Sequence, residues 1–544
     1  MISAGSTPAK AAALPDRPKK QSRLILECSS QATCGARSTA FARALSMYED
    51  PALARWRFLT PGPHDLVFTV VLLLILIGGR HALFSDPGTL WHLRLGRDIV
   101  ASGAVPRCDT LTYTHAQAPW VDQSWAYDTL LAILVDHGGW SAAFVLTAIV
   151  LALVYAAQTR GLVSDGITPI VAIFVSLLTV AIGCCHFLIR PHVVTLGFVY
   201  LTLRLCQFQH ERGGWTVAWA IPLSALLANI HGGFVALPAI VATAAIGHAV
   251  SGPWNQERAR NVAKFGLVFL GSCVAALVNP YGWDLYHHVG HLLLSSGVTT
   301  LIEEYQPAPF GKPQARVLEI VLLSLVGLPA VVSRRVDRYH LAHLLVWLHL
   351  ALTSIRNAPL FALAAAPALA QLIDGLPLSF RHVWTKFPGR SVYIPAIAAS
   401  LLLSAVAGVG FGSFDCERWP FSAIETLNRQ PSSARLFHEQ DWGGLIAAET
   451  RPIRPSYLDD RFELFGKDAI IEYVNALSGG PVWDTVRNRD KIDLVWVRPD
   501  RGLAQRMAAE TQWKEVYRDS VSVLFGRRGS EAHADAQASS LAAK

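Results

Sequence analysis

The chain has 544 residues, of which 52% are hydrophobic and only 16% charged. Soluble domains carry about 25% charged residues, so the composition excludes an ordinary globular enzyme and fits a polytopic membrane protein with some water-exposed parts. The net charge of +7 shows no basic stripe interleaved with aromatics, which argues against nucleic-acid binding.

Residues 1–60, rich in Ala, Ser, Pro, Lys and Arg, read as a disordered basic cytoplasmic tail, with a short surface helix over 40–58. No apolar core lies at signal-peptide distance. A bilayer crossing needs about 20 apolar residues. Stretches of that kind fall at 65–83, 140–158, 167–188, 191–208, 215–230, 232–250, 262–279, 316–333, 339–355, 358–374 and 392–412, about eleven spans, several of them short. With the tail inside, every inner loop is basic: Arg160, Arg212, Arg258 with Arg260, Arg334 with Arg335 and Arg338, then Arg381 with Lys386 and Arg390. The expected fold is therefore an α-helical polytopic membrane domain over 61–412, with a first outer loop at 84–139. An odd number of spans leaves 413–528 outside the cytoplasm.

In the first outer loop, Trp91, Leu95 and Ile99 recur at the spacing of an amphipathic helix, with Asp86 near its N-terminus. Asp109 and Asp122 add acids further on, and residues 126–137 read as a second interfacial helix. Other polar groups gather on the same face: Arg94, Arg190, His192, Asn229, His231, Glu303, Glu304, Arg356 and Asn357. Ionisable groups at span ends need partners, and their convergence predicts one shared polar cavity. The competing reading makes Asp86 a helix cap, the histidines polar helix ends, and the glutamates solvated. His287, His288 and His291 have helical zinc-ligand spacing but no Glu-x-x-His pattern. The eight cysteines form no framework, and only Cys108 and Cys416 share the outer side.

After 412 the composition turns polar. Short runs at 434–438, 445–448, 455–458, 492–497 and 521–525 read as strands, and 422–429, 467–477, 483–488 and 503–512 as helices. This predicts a soluble extracytoplasmic α/β domain over 413–528, where Asp459, Asp460 and Arg461 read either as acceptor contacts or, the preferred reading, as a structural ion pair at a strand end. Residues 529–544 read as a disordered tail.

The motifs Asp86-Pro-Gly-Thr-Leu-Trp-His, Pro106-Arg-Cys-Asp-Thr, Trp120-Val-Asp-Gln-Ser-Trp, Arg190-Pro-His, Asn229-Ile-His-Gly-Gly, Asn279-Pro-Tyr-Gly, Arg356-Asn-Ala-Pro, His438-Glu-Gln-Asp-Trp-Gly-Gly and Leu458-Asp-Asp-Arg together resemble a family of bacterial membrane proteins grouped with the GT-C glycosyltransferases. The resemblance covers nearly everything after residue 60. It implies a hexosyl or pentosyl transferase of the mannosyltransferase and aminoarabinose-transferase kind, which uses a polyprenyl-phosphate-linked sugar, with Asp86 as the essential acid of the first outer loop. Gly88 stands where related sequences often carry a second Asp. A metal-binding acid pair is incomplete there, and a divalent metal is left open. On this reading Asp86 is the general base, Arg190 or Arg356 holds the donor phosphate, and Trp91 and His92 shape the pocket, at the outer face of a bacterial inner membrane. The rival readings are a non-catalytic envelope scaffold with a protein partner, and a lipid or solute transporter.

Overall fold

The computed structural model describes residues 61–294, 297–312, 315–332, 335–377, 393–406 and 412–528. The tails expected over 1–60 and 529–544 lie outside the described residues, as do Arg334, Arg381, Lys386 and Arg390.

Thirteen helices of the first 406 residues are used below. They are α1 (Pro63–Gly78), α2 (Gly88–Ser102), α3 (Trp125–Ser164), α4 (Pro169–Gly183), α5 (His192–Arg212), α6 (Ala220–Leu227), α7 (Ala236–Val250), α8 (Gln256–Ala275), α9 (Trp283–Leu294), α10 (Arg316–Val331), α11 (Arg338–Thr353), α12 (Ala358–Asp374) and α13 (Tyr393–Val406). Every apolar stretch expected to span carries helix. Three segments are long and apolar enough for a full crossing: Trp125–Ser164, Pro169–His186 and Gly232–Val250. The others fall short for a simple reason. The 16 residues of α1 rise about 24 Å at 1.5 Å each, against about 30 Å of hydrocarbon. Eleven apolar helical stretches thus do not amount to eleven helices of full crossing length.

The bundle is apolar on its outside as well as its inside. Leu74, Leu267, Val274, Leu323, Val326 and Val331 are all exposed on helix surfaces, an arrangement suited to a lipid surround. Inside, α12 buries Ala362, Ala364, Ala365, Ala366 and Ala368, small side chains that let neighbouring backbones approach. Helix α3 is interrupted at Gly139, whose φ of 66° and ψ of −177° are non-helical. The break separates residues 125–138 from the apolar stretch that follows.

The C-terminal region forms a four-stranded sheet of order β1-β2-β4-β3, from β1 (Leu436–His438), β2 (Leu494–Val497), β3 (Trp513–Arg518) and β4 (Val523–Arg527). Strands β1 and β2 run parallel, and the other pairs antiparallel. Around it lie α14 (Gly443–Glu449), α15 (Lys467–Leu477), α16 (Val482–Asp490) and α17 (Gly502–Ala509).

Two expected strands are corrected. Residues 445–448 lie in helix α14, where Leu445, Ile446, Ala447 and Ala448 are all buried. A short run that is apolar all round carries no period to separate strand from helix. Residues 455–458 form no strand; they make an isolated bridge, Thr112 to Ser456. Cys108 and Cys416 are both free thiols, so no disulfide joins them.

The described residues of 61–528 belong to one compact unit. Helix α14 lies directly on the first turn of α2, because a Cβ on Gly444 would come within 2.9 Å of the Pro87 carbonyl and the Trp91 amide. The segment 106–122 is stitched on from the other side: Tyr113 OH donates to the Leu436 carbonyl at 3.0 Å, and Thr114 Oγ1 donates to the Tyr457 carbonyl.

Candidate functional site

The start of α2, the entry to α5 and the segment after residue 458 meet at one point. Arg190 lies between two carboxylates there. Its Nε pairs with Asp86 Oδ2 at 2.8 Å and its Nη2 with Asp460 Oδ2 at 2.9 Å. Trp91 Nε1 donates to Asp460 Oδ1 at 2.6 Å, and Thr89 Oγ1 donates to Asp86 at 3.4 Å. Asp86 therefore does more than cap a helix. Pro87 is the N-cap residue of α2, and the Asp86 carboxylate faces an arginine 104 positions away.

Burial dominates the electrostatics. It raises Asp86 above the ordinary carboxylate range, more than Arg190 beside it can offset, with Glu304 pushing the same way. Asp460 is pushed up to about 7, by burial first, then by Asp86 and Asp459 against the pull of Arg190. Burial also works against the charge of Glu304, yet Arg356 and Arg190 hold it below its usual value.

Gly88 makes this packing possible. A Cβ there would land on Arg190 Nη2 and 3.0 Å from both the Asp86 and Asp460 carboxylates. The acid absent at position 88 is matched by one that arrives from 372 residues further along. Gly88→Ala is expected to destabilise the fold by about 1–3 kcal/mol, the usual cost of overpacking, and to displace Arg190. Thermal unfolding of the purified variant checks this.

As placed, the two acids take a guanidinium rather than a divalent cation, since Arg190 fills the gap between them. Among the described residues, no three or more His, Cys, Asp or Glu side chains come together as metal ligands. His287, His288 and His291 are included in that statement.

The remaining expected residues divide into neighbours of this point and structural posts. The His92 ring lies tilted against Trp91, centroids 3.7 Å apart, and pairs through Nδ1 with Asp128 Oδ1 at 2.7 Å. Burial, and then Arg190, hold His92 well below its usual value, so the ring is neutral. His192 lies against the His186 carbonyl. His231 Nδ1 accepts from the Gly233 amide and bonds Thr195 Oγ1. Arg356 stacks over the Tyr305 ring, donates to its hydroxyl at 2.9 Å and lies 3.6 Å from Glu304.

Several others are tied up elsewhere. Asn229 accepts from Trp125 Nε1 and donates to the Ala225 and Val278 carbonyls. Asn357 donates to the Leu350 carbonyl. Arg94 pairs along its own helix with Asp98. Glu303 is exposed and pairs with Lys312. Asp122 accepts from the Ser124 amide and is pushed up to about 6 by burial. Asp109 belongs to a buried clamp: Arg461 Nη2 reaches Asp109 at 2.8 Å and Asp459 at 2.6 Å, and its guanidinium lies 4.6 Å above the Trp120 ring.

Asp460 is the residue at this point that the sequence reading set aside. Its two neighbours do form the structural ion pair expected there, and that pairing turns Asp460 toward α2. The only signal was its place in the Leu458-Asp-Asp-Arg motif.

Asp460 contributes to the pH dependence of stability, alongside the other raised carboxylates Asp86 and Asp122. Between the ordinary carboxylate value near about 4 and about 7, the folded chain holds a proton that the unfolded chain has released. Stability is then expected to fall as pH rises through that window. Asp460→Asn should flatten the slope, read by denaturation at several pH values.

No family model matches the chain, and no curated protein matches it. Among solved structures it is similar to the apo crystal structure of the Archaeoglobus fulgidus oligosaccharyltransferase. The TM-score is 0.48 at 10% identity, over 86% of this chain and 74% of that one. So loose an overlap transfers no residue role, and the reading below rests on this chain's own residues.

Proposed function

We propose that this chain is a membrane glycosyltransferase of the GT-C kind. In this reading it moves a sugar from a polyprenyl-phosphate-linked donor to an acceptor at the outer face of a bacterial cytoplasmic membrane, with the C-terminal region on that side. The observation that carries it is Asp86: a buried carboxylate, raised by burial, ion-paired with Arg190 at the start of α2. The motif resemblance points to the same aspartate.

The chemistry asked of the site is a single inverting displacement. Asp86 takes the proton of the acceptor hydroxyl while that oxygen bonds to the anomeric carbon. The bond from that carbon to the phosphate oxygen breaks, and its electron pair leaves with the polyprenyl phosphate. Arg356 is better placed than Arg190 to hold that phosphate. It is partly exposed, and its carboxylate contact is a loose 3.6 Å, whereas Arg190 is held by two acids. Trp91, which holds Asp460, and His92 beside it would shape the pocket.

A scaffold role is favoured by one observation, that Arg190 ties Asp86 to Asp460 as a clamp would. Deleting the coding sequence separates the two. The transferase reading expects the lipid-linked sugar to accumulate and one envelope glycan to be lost. Wild-type protein restores both, and Arg356→Gln restores them only at raised donor. Unchanged glycans and lipid-linked sugars in the deletion strain would leave the scaffold standing. Loss of donor from the outer leaflet alone would favour a transporter.

A further inference from the structure

Two acids of the first outer loop and its edge have no part in the reaction above. Asp122, in the Trp120-Val-Asp-Gln-Ser-Trp motif, and Asp128, in the first turn of α3, are both 0% exposed. Among the described residues neither is paired with a lysine or an arginine. The two guanidiniums that act on them from a distance are committed elsewhere, Arg461 to Asp109 and Asp459, and Arg190 to Asp86 and Asp460. Two bare charges side by side in a dry interior are costly.

Their four carboxyl oxygens are not alike. Asp122 Oδ1 accepts from the Ser124 amide at 3.1 Å and from its hydroxyl at 3.2 Å. Asp128 Oδ1 lies 2.7 Å from His92 Nδ1. Oδ2 of each acid is buried with no donor, yet the two carboxyl groups lie within hydrogen-bonding reach of one another. Ionised carboxylates only accept, so a bond between them needs a proton. One proton between the two Oδ2 atoms satisfies both. Burial, the largest influence on Asp122, lifts it to about 6 against the pull of Ser124 and Arg461.

The place of that proton settles the histidine. With it on the Oδ2 side, Asp128 Oδ1 stays an acceptor, so His92 donates its Nδ1–H there, with Ser124 Oγ at 3.4 Å as a second acceptor. The bond made by one ring nitrogen sets the state of the other, and Nε2 is left as a lone pair. Among the described residues Nε2 is neither hydrogen-bonded nor sealed off. The ring lies against Trp91, which holds Asp460, and Arg190, His192 and His231 all act on it. Tyr127 closes its other side edge-on at 6.0 Å. We propose that Asp122 and Asp128 share one proton, and that the pair fixes His92 with Nε2 as the acceptor for a hydroxyl of the donor sugar. The reacting hydroxyl of the acceptor belongs to Asp86, whereas the sugar carries further hydroxyls to be held. Asp128 is on this account a positioning residue acting through His92. The sugar contact rests on the transferase reading; the shared proton and the tautomer do not.

Three measurements on the full chain in lipid nanodiscs test this. Asp86 and Asp460 are raised as well, so the first reading is the infrared difference between wild type and Asp122→Asn at neutral pH. It is expected to show the carbonyl stretch of one buried protonated carboxyl, sensitive to D2O; no such band would overturn the shared proton. Should Asp122→Asn fail to fold, Ser124→Ala, which takes a donor from Asp122 Oδ1 and leaves both acids, is expected to move the band, and an unmoved band overturns the pair equally. The second is nitrogen-15 NMR of histidine-labelled protein, with His92 assigned by His92→Gln. A proton on Nδ1 alone is expected; one on Nε2, or on both nitrogens, would overturn the positioning. The third is kinetic. Asp128→Asn can turn its amide toward Nδ1 and release the tautomer, so the donor KM is expected to rise about tenfold, the worth of one hydrogen bond, with the acceptor KM unchanged. Misfolding would lower the amount of active protein and leave that KM where it was, and an unchanged donor KM would overturn the sugar contact. Wild-type protein that transfers no sugar would sink the transferase reading and the sugar contact with it, while the band and the tautomer still decide the pair.

Discussion

Asp86→Asn is expected to lower the transfer rate by about 100- to 10,000-fold, the range general-base groups contribute, with the protein still inserted and folded. The asparagine keeps the shape of the side chain, and Arg190 keeps Asp460 as a partner at 2.9 Å. What disappears is the proton acceptor. The loss should fall on kcat, with the donor KM little changed, because the group acts in the transition state more than in binding. Wild-type transfer should itself decline as the pH falls through the raised Asp86 value, since the protonated acid cannot take the acceptor's proton. Purified protein, a labelled polyprenyl-phosphate sugar and an acceptor mixture suffice to measure it. A variant that transfers at the wild-type rate would remove Asp86 from the mechanism.

Arg461→Ala is expected to cost about 3–5 kcal/mol of stability, the typical price of breaking a buried ion pair from one side. Arg461 is 1% exposed and its two partners no more so. Truncation leaves Asp109 and Asp459 buried with no counter-charge, and also removes the guanidinium from the face of Trp120. The damage should reach the site, because Asp460 is the next residue and its bonds to Trp91 and Arg190 depend on where Arg461 holds the chain. Arg461→Lys should rescue little, since an ammonium cannot reproduce the two-sided fork to Asp459 and Asp109. Chemical denaturation, with limited proteolysis after residue 412, gives the comparison. A double-mutant cycle with Asp109→Asn isolates the pair. Wild-type stability for Arg461→Ala would show that the clamp does not hold the two regions together.

How much of this was legible beforehand varies by element. Helix α15 was expected over 467–477, the residues it occupies, because its apolar positions recur at helical spacing. Strand β3 was not expected. Its residues Trp-Lys-Glu-Val-Tyr-Arg run along the sheet edge with the middle of the strand largely exposed, so charged side chains cost nothing there and mask the strand pattern. Helix α14 was mistaken for a strand because tertiary burial on every side erases amphipathic periodicity.

The sequence alone settled where the apolar helices lie and that Asp86 opens α2, because hydrophobic patterning and turn chemistry act over a few neighbouring residues. It did not reveal that Arg190 bridges Asp86 and Asp460, that Asn229 bonds Trp125 and Asp109 bonds Arg461, or that Asp460 of the C-terminal region reaches the start of α2. Those facts depend on contacts between residues hundreds of positions apart. Burial, which sets both the carboxylate shifts and the need for partners, exists only once the chain has packed.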